Sequence, residues 1–261
     1  MSTTLKISDH GYWVELTLNR PEKLNAFNDE MLHALISEIQ AAIKSGKRAV
    51  LLTGAGRGFC AGQDLGDRDP AKMTTPPDLG ATLTNFYNPL VHTITQCDIP
   101  IICAVNGVAA GAGANLAMAC DITFASTDAK FIQAFSLVGL IPDCGGTWQL
   151  VRRLGPARAK ALAITAEPIL AEQAADWGMI WKSVPHEKLM DEARALTAKL
   201  ADGPGLSYAH IKKAVYAATT NSLPEQLALE AQYQKRCGES RDYAEGVSAF
   251  LSKRKPEFQG V

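Results

Sequence analysis

Apolar and polar positions alternate from Tyr12 to Leu18. Val14, Leu16 and Leu18 fall on one side and Glu15 and Thr17 on the other, the period of a half-buried strand that Asn19-Arg20-Pro21 then ends. The spacing next becomes helical. Met31, Leu32, Leu35, Ile36, Ile39 and Ile43 share one face behind Asn28 as N-cap, with Asp29 and Glu30 in the first turn where carboxylates complement the helix dipole. Ala49 to Thr53 and Pro100 to Val105 are short apolar runs that read as buried strands. Gly111 to Cys120 reads as a short helix, and Ile122 to Ala125 and Lys130 to Gln133 as further strands. The Gly-rich loop Gly54 to Gly66 leads through a polar stretch with Pro70, Pro76 and Pro77, expected to be mobile, into a helix around Leu83 to Cys97. Strand, glycine loop and helix recur, as in layered α/β folds.

Beyond Gly146 the period is almost wholly helical: Thr147 to Leu154, Ala157 to Thr165, and Ala171 to Trp177 closed by Gly178. One strand, Ile180 to Val184, intervenes before helices that run to Leu200, Pro204 to Ala218, Pro224 to Cys237 and Tyr243 to Lys253. A boundary near Asp202-Gly203-Pro204 divides the chain into a core, 1–202, and a helical region, 203–261.

A chain of 261 residues with 47% apolar content can bury a sizeable core. Its net charge of −1 offers no global attraction to nucleic acid or to anionic membranes, so any anionic ligand must be met by local groups. The start, Met1-Ser2-Thr3-Thr4-Leu5-Lys6, lacks an apolar signal region, and every apolar run is broken before membrane-spanning length, so a cytoplasmic protein is expected. Cys60, Cys97, Cys103, Cys120, Cys144 and Cys237 show no paired spacing and read as reduced core thiols. No metal site is expected, because the histidines and cysteines share no ligand spacing.

The chemistry-bearing candidates lie in three segments. Gly107, Gly111 and Gly113 alternate with alanines between a buried strand and a helix, where backbone N–H groups can meet an oxyanion; a tight packing turn would need the same small residues. Gly58-Phe59-Cys60-Ala61-Gly62-Gln63-Asp64-Leu65 is a second such loop, and two donors from separate loops are what an enolate oxygen needs. Asp143 follows Pro142 and precedes a helical segment, so it reads either as an N-cap or as a general base. Gly58 to Gly62 also mimics a nucleophile elbow with cysteine for serine, but no helix pattern follows it directly. Neither Gly54-Ala55-Gly56 nor Gly111-Ala112-Gly113 completes a dinucleotide fingerprint.

With these residues in place, the chain resembles the crotonase (enoyl-CoA hydratase/isomerase) superfamily over essentially its whole length. The matching motifs are Asn19-Arg20-Pro21-Glu22-Lys23-Leu24-Asn25-Ala26, Phe59 to Leu65, Asn106-Gly107 through Asp121, and Pro142-Asp143-Cys144-Gly145-Gly146-Thr147. Phe86 to Val91, Ala134-Phe135-Ser136 and Trp177 to Trp181 are most similar to the branch that isomerises ring-1,2-epoxyphenylacetyl-CoA in phenylacetate catabolism. The resemblance implies an α/β spiral of β-β-α units with a C-terminal helical trimerisation region, assembled as a homotrimer or dimer of trimers. It implies an acyl-CoA thioester substrate, with coenzyme A as part of the substrate and no separate cofactor.

The resemblance also assigns residues. The oxyanion hole maps onto the N–H groups of Gln63 and Ala112, flanked by Gly111 and Gly113. Ala61, Gly62, Asp64 and Leu65 would line the adenine pocket and Lys23 the phosphate region, while Phe250 and Lys253 would reach the CoA of a neighbouring subunit. Hydratases of the family activate water with two glutamates; here Asn115 and Phe135 stand at those positions, and neither is an acid or base. A side-chain amide at Asn115 could still hydrogen-bond the substrate, and Phe135 would make its side of the pocket dry. Asp143 occupies the place from which isomerases move a proton, and burial is expected to raise its pKa. The reading is therefore an isomerase converting ring-1,2-epoxyphenylacetyl-CoA to oxepin-CoA, with a 3-enoyl to 2-enoyl double-bond shift beside it. A hydratase with an unusual acid/base arrangement and a catalytically silent acyl-CoA-binding subunit are the alternatives.

Overall fold

The computed structural model describes residues 3–68 and 75–260. Residues 69–74, inside the stretch expected to be mobile, lie outside the described residues. The strands are β1 (Leu5–Asp9), β2 (Trp13–Leu18), β3 (Ala49–Gly54), β4 (Gly58–Cys60), β5 (Ile101–Val105), β6 (Val108–Ala110), β7 (Ile122–Ser126), β8 (Lys130–Ile132), β9 (Ile169–Leu170) and β10 (Lys182–Val184). They divide into a six-stranded sheet, β1-β2-β3-β5-β7-β10, and a four-stranded one, β4-β6-β8-β9. Each of the passes β3 to β4, β5 to β6 and β7 to β8 places one strand in each sheet before the chain moves on through helix. That alternation is the spiral of β-β-α units. All pairings are parallel except β1 with β2 and β8 with β9.

The short strands β4, β6 and β9 are absent from the sequence reading. With two or three residues each, two of them inside glycine loops, they are too brief to show a period of two.

Both faces of the large sheet are covered. On one face, α1 (Asp29–Lys44) buries Met31, Leu32, Leu35 and Ile39 against Leu16, Leu18, Val50 and Leu52. Its N-cap is as the sequence indicates, with Asn28 Oδ1 accepting from the Met31 N–H at 3.0 Å. On the other face, α7 (His186–Ala201) packs Leu189, Ala193 and Ala201 against Trp13, Leu51, Ile102 and Phe124. Glu15, expected on a solvated face, therefore lies under α7 and is 6% exposed. Arg194 of α7 donates to both its carboxylate oxygens, at 2.7 and 2.9 Å, which satisfies the charge where water cannot.

The helix expected to begin near Leu83 instead starts as α2 (Leu79–Thr82), passes through a π-helical turn at Leu83–Tyr87 and continues as α3 (Asn88–Gln96). Asp78 begins it, accepting from the Ala81 N–H at 2.8 Å. After α4 (Ala112–Ala119), the long helix α5 (Gly146–Thr165) breaks at Gly155, φ 76° and ψ 164°, where Pro156 follows and no helical geometry is possible. Then come α6 (Ala171–Asp176) and, after α7, the C-terminal helices α8 (Gly205–Ala217), α9 (Leu223–Gly238) and α10 (Arg241–Leu251).

Helix α8 is anchored to the core by a buried ion pair. Lys212 Nζ lies 2.7 Å from Asp121, with both side chains largely enclosed, and donates to the Ile99 carbonyl at 3.1 Å. Asp121 also accepts from the Ile101 N–H at 2.8 Å, so the start of β5 is held by the same carboxylate. Elsewhere the C-terminal helices expose large apolar side chains, including Val215, Leu223, Phe250 and Leu251. No helix of the described residues is long and apolar enough to cross a membrane.

Removing one partner of a buried ion pair leaves an uncompensated charge, which typically costs about 3–5 kcal/mol. Lys212→Met is expected to lose stability on that scale in chemical denaturation, and adding Asp121→Asn to it should recover part of the loss.

Candidate active site

Two loops meet at backbone distance. Gly62 has φ 91°, and a Cβ there would sit 3.0 Å from the Ala110 carbonyl oxygen and 3.5 Å from the Ala112 nitrogen. A Cβ on Gly113 would come within 2.3 Å of the Cys60 carbonyl oxygen, so glycine is required for α4 to approach β4. The Gly62 turn is fixed from the other side: the Phe27 N–H donates to the Gly62 carbonyl at 2.7 Å, and the Asp64 N–H to the Phe27 carbonyl at 2.9 Å. Asp64 completes the clamp through Arg20 at 2.7 Å and the Gly66 N–H at 3.0 Å. The Arg20 hydrogen bond, then that from Gly66, hold the Asp64 carboxyl below its usual range.

This geometry leaves two amides free. Ala112 is the first residue of α4, where no preceding turn accepts its N–H. Gln63 bridges to Phe27 in parallel register, a pattern that uses the neighbouring N–H groups and not its own. Among the described residues neither N–H donates within the chain, and both residues line one cavity of about 340 Å³.

The cavity is apolar on most sides. Leu65, Leu79, Leu83, Phe135, Val138, Leu140 and Ile141 contribute to its wall, and Asp143 is the carboxylate among the lining residues. The Phe135 ring lies 3.6 Å from where a Gly111 Cβ would stand, so it rests on the turn that presents Ala112. Burial pushes the Asp143 carboxyl above the usual carboxylate range, with the adjacent Cys144 thiol partly opposing the shift. Its Oδ1 is buried without a hydrogen-bond partner. That is an energised arrangement for a carboxylate, and one that favours accepting a proton.

Asp143 does not cap α5. The N-cap is Gly145, with no side-chain bond, because Cys144 (φ 50°) and Gly145 (φ 72°) turn the chain left-handed. In that turn the Asp143 main-chain carbonyl accepts the Gly146 N–H at 2.7 Å, so the carboxylate is released from the helix end. Asn115 holds the same carbonyl through Nδ2 at 2.8 Å, while its Oδ1 accepts from Gln133 Nε2 at 2.8 Å. Asn115 is fully buried, and its amide is thus spent on the Asp143 loop rather than offered to a ligand. It sits beneath Gly146, where any Cβ would come within 2.2 Å of Nδ2.

Of the residues singled out in the sequence, Ala61, Gly62, Gln63, Leu65, Gly111, Ala112, Phe135 and Asp143 line this cavity. Asp64, Gly113 and Asn115 support it from behind. Lys23, Phe250 and Lys253 are exposed and lie outside its wall. Sequence reasoning gave no role to Tyr87, Leu79, Leu83, Val138, Leu140 or Ile141. Tyr87 was visible only as part of the Phe86 to Val91 motif; Leu79 and Leu83 come from the short α2 and π-helical segments, and Val138, Leu140 and Ile141 from the end of a 3-10 turn and the irregular stretch after it, none long enough to show a period.

Both cysteines near the site are inert. Burial pushes the Cys60 thiol up to about 12, and burial together with the Asp143 carboxylate drives Cys144 far above the normal thiol range. A thiol nucleophile is thereby disfavoured. Among the described residues no group of three potential ligands could hold a metal ion.

A carboxyl whose pKa is higher folded than unfolded binds an extra proton in the native state between those two values. Its ionisation therefore removes stability as pH rises through that window. Asp143→Asn is expected to raise the melting temperature at pH 7, with the difference shrinking as pH falls through the raised Asp143 pKa toward the unfolded value of 3.8; equal melting temperatures at pH 7 would contradict the strained carboxylate.

Comparison with known proteins agrees with this geometry. Residues 13–261 match the family model described as enoyl-CoA hydratase/isomerase. The chain is 55% identical over 247 residues to the 1,2-epoxyphenylacetyl-CoA isomerase of Escherichia coli, covering 94% of each chain. It is 49% identical over 245 residues to a protein of Rhodobacter capsulatus named "Probable enoyl-CoA hydratase", covering 94% of this chain and 93% of that one. Among solved structures, an enoyl-CoA hydratase from a Polaromonas species superposes with a TM-score of 0.92 at 35% identity, covering 98% of this chain and 99% of the other. The two-sheet spiral, the paired loop amides and these likenesses lead to one conclusion: the chain belongs to the enoyl-CoA hydratase/isomerase family.

Proposed function

We propose that the protein is an acyl-CoA isomerase that converts ring-1,2-epoxyphenylacetyl-CoA to oxepin-CoA and also shifts 3-enoyl-CoA double bonds to the 2-position. The observation that carries this reading is Asp143, the one carboxylate among the described lining residues, buried at Oδ1 without a partner in a mostly apolar cavity beside two free backbone amides. The 55% identity to an enzyme named for that epoxide supports the choice of substrate.

The thioester oxygen accepts hydrogen bonds from the Gln63 and Ala112 N–H groups. Asp143 takes a proton from the carbon next to the thioester, and the bonding pair passes into the carbonyl as an enolate. The enolate then collapses, forming a double bond at that carbon while the proton returns from Asp143 to the remote carbon. For the epoxide, the C–C bond shared by epoxide and ring breaks as the ring double bonds shift, giving the seven-membered oxepin, and the same proton shift then brings a double bond into conjugation with the thioester. No atom is gained or lost, so one carboxylate suffices and no cofactor enters. Hydration would need a second acid or base to deliver water; the positions where hydratases hold glutamates carry Asn115, committed to the Asp143 loop, and Phe135, which keeps the wall dry.

The CoA portion extends from the cavity mouth past Ala61 to Leu65, with Lys23 near its phosphates. Residues 203–261 form the oligomerisation region, and Phe250 and Lys253 reach the CoA of a neighbouring subunit in a homotrimer or dimer of trimers. Two features support assembly. The accessible surface is 13482 Å², against about 11,000 Å² expected for a monomer of this mass. The C-terminal helices also expose Val215, Leu223, Phe250 and Leu251. The enzyme acts in the cytoplasm.

General-base contributions are about 10²- to 10⁴-fold. Asp143→Asn should lose turnover of the epoxide and of a 3-enoyl-CoA by that factor while binding CoA esters with affinity close to wild type. Turnover near wild type in this variant would sink the assignment, and hydration of crotonyl-CoA matching the isomerisation rate would favour the hydratase.

A further inference from the structure

The cavity contains a polar side chain that the proton transfer does not use. Gln63 lines the cavity together with Leu65, Leu83 and Phe135, while only its backbone N–H serves the thioester. Its Oε1 accepts a hydrogen bond from the Tyr87 hydroxyl. Tyr87 is 3% exposed, closes the π-helical turn and packs edge-on against Phe27 with ring centroids 6.0 Å apart. Phe27 is the residue whose backbone clamps the Gly62 turn, so Tyr87 packs against the residue that holds that turn.

This contact decides which end of the amide faces the phenol. The opposite orientation would turn Oε1 toward the Asp64 carbonyl, now 3.4 Å from Nε2, and set two acceptors against each other. With the oxygen held by Tyr87, the NH₂ group carries two hydrogens, and its acceptor among the described residues is that one distant carbonyl. At least one N–H of this cavity-lining residue has no acceptor among the described residues. An apolar acyl group pressed over it would bury a donor without an acceptor, whereas an acyl group bearing an oxygen would satisfy it.

Taking the acyl-CoA reading above as its basis, we propose that Tyr87 and Gln63 form a specificity device. Tyr87 fixes the Gln63 amide, and the amide N–H donates to an oxygen atom carried by the acyl group. The π-helical turn contributes by placing the Tyr87 hydroxyl against this amide, consistent with the frequent use of such turns at functional sites.

The test is a binding measurement with two ligands that have no double bond to shift, tetrahydropyran-2-ylacetyl-CoA and its carbon isostere cyclohexylacetyl-CoA, titrated by calorimetry. The wild type should bind the oxygen-bearing ligand about tenfold more tightly. Tyr87→Phe should lose most of that preference while binding cyclohexylacetyl-CoA within about threefold of wild type. Gln63→Leu, which keeps the backbone N–H, should abolish the preference. Equal affinity for the two ligands in the wild type, or a preference that survives in both variants, overturns the proposal. Because no turnover is read, the result is separate from the Asp143→Asn assay, whose failure would remove the isomerase and leave this measurement standing.

Discussion

The site depends on how closely two strand-to-helix turns can approach. The four-stranded sheet brings β4 beside β6, and α4 then rises from β6 directly against the Cys60 carbonyl, with no space for a side chain at Gly113. A second contact of this kind lies at Gly107, where a Cβ would fall 2.1 Å from the Arg57 carbonyl oxygen. These contacts bring the Gly62 turn to the N-terminus of α4 and so set two amides from distant parts of the chain beside one cavity. Without that approach Gln63 and Ala112 would be unrelated surface amides, and the base proposed at Asp143 would have no enolate to serve.

The site depends equally on electrostatic tension. An oxyanion hole lowers the energy of an enolate only if the base beside it is strong enough to form one, and a well-solvated aspartate is a weak base. Here burial lifts the Asp143 pKa, and the loop that carries it is held by its main chain rather than by its carboxylate. Asn115 and the left-handed pair Cys144 and Gly145 maintain the loop, so the carboxylate Oδ1 can remain without a partner. Loss of stability and gain of basicity are thus two expressions of the same burial.

Much of this was legible in the sequence. The long periodic elements, the N-cap at Asn28 and the break at Gly155-Pro156 follow from hydrophobic spacing and local backbone chemistry, which need no knowledge of tertiary contacts. The motifs around Gln63, Ala112 and Asp143 pointed to the cavity because their residue types carry the chemistry directly. What escaped depends on contacts between remote segments. Glu15 was placed on a solvated face because alternation cannot reveal that α7 covers it. Asp143 was open to a capping role because the preceding Pro142 and following helix fit a cap; only the left-handed turn redirects it. Asn115 could have been a substrate ligand until its amide was found between Gln133 and the Asp143 carbonyl. Tyr87 gave no local signal, since a tyrosine at helical spacing is more often packing than function, and its role rests on a partner 24 residues away.

In the proposed reaction one carboxylate carries a proton between two carbons of the same substrate. It is tested most directly by supplying a 3-enoyl-CoA deuterated at the carbon next to the thioester and following the label by mass spectrometry and NMR in ordinary water. The account predicts a 2-enoyl product in which part of the deuterium has moved to the remote carbon, with no gain of a water molecule. A product carrying an added hydroxyl, or complete loss of the label to solvent with none at the remote carbon, would contradict it.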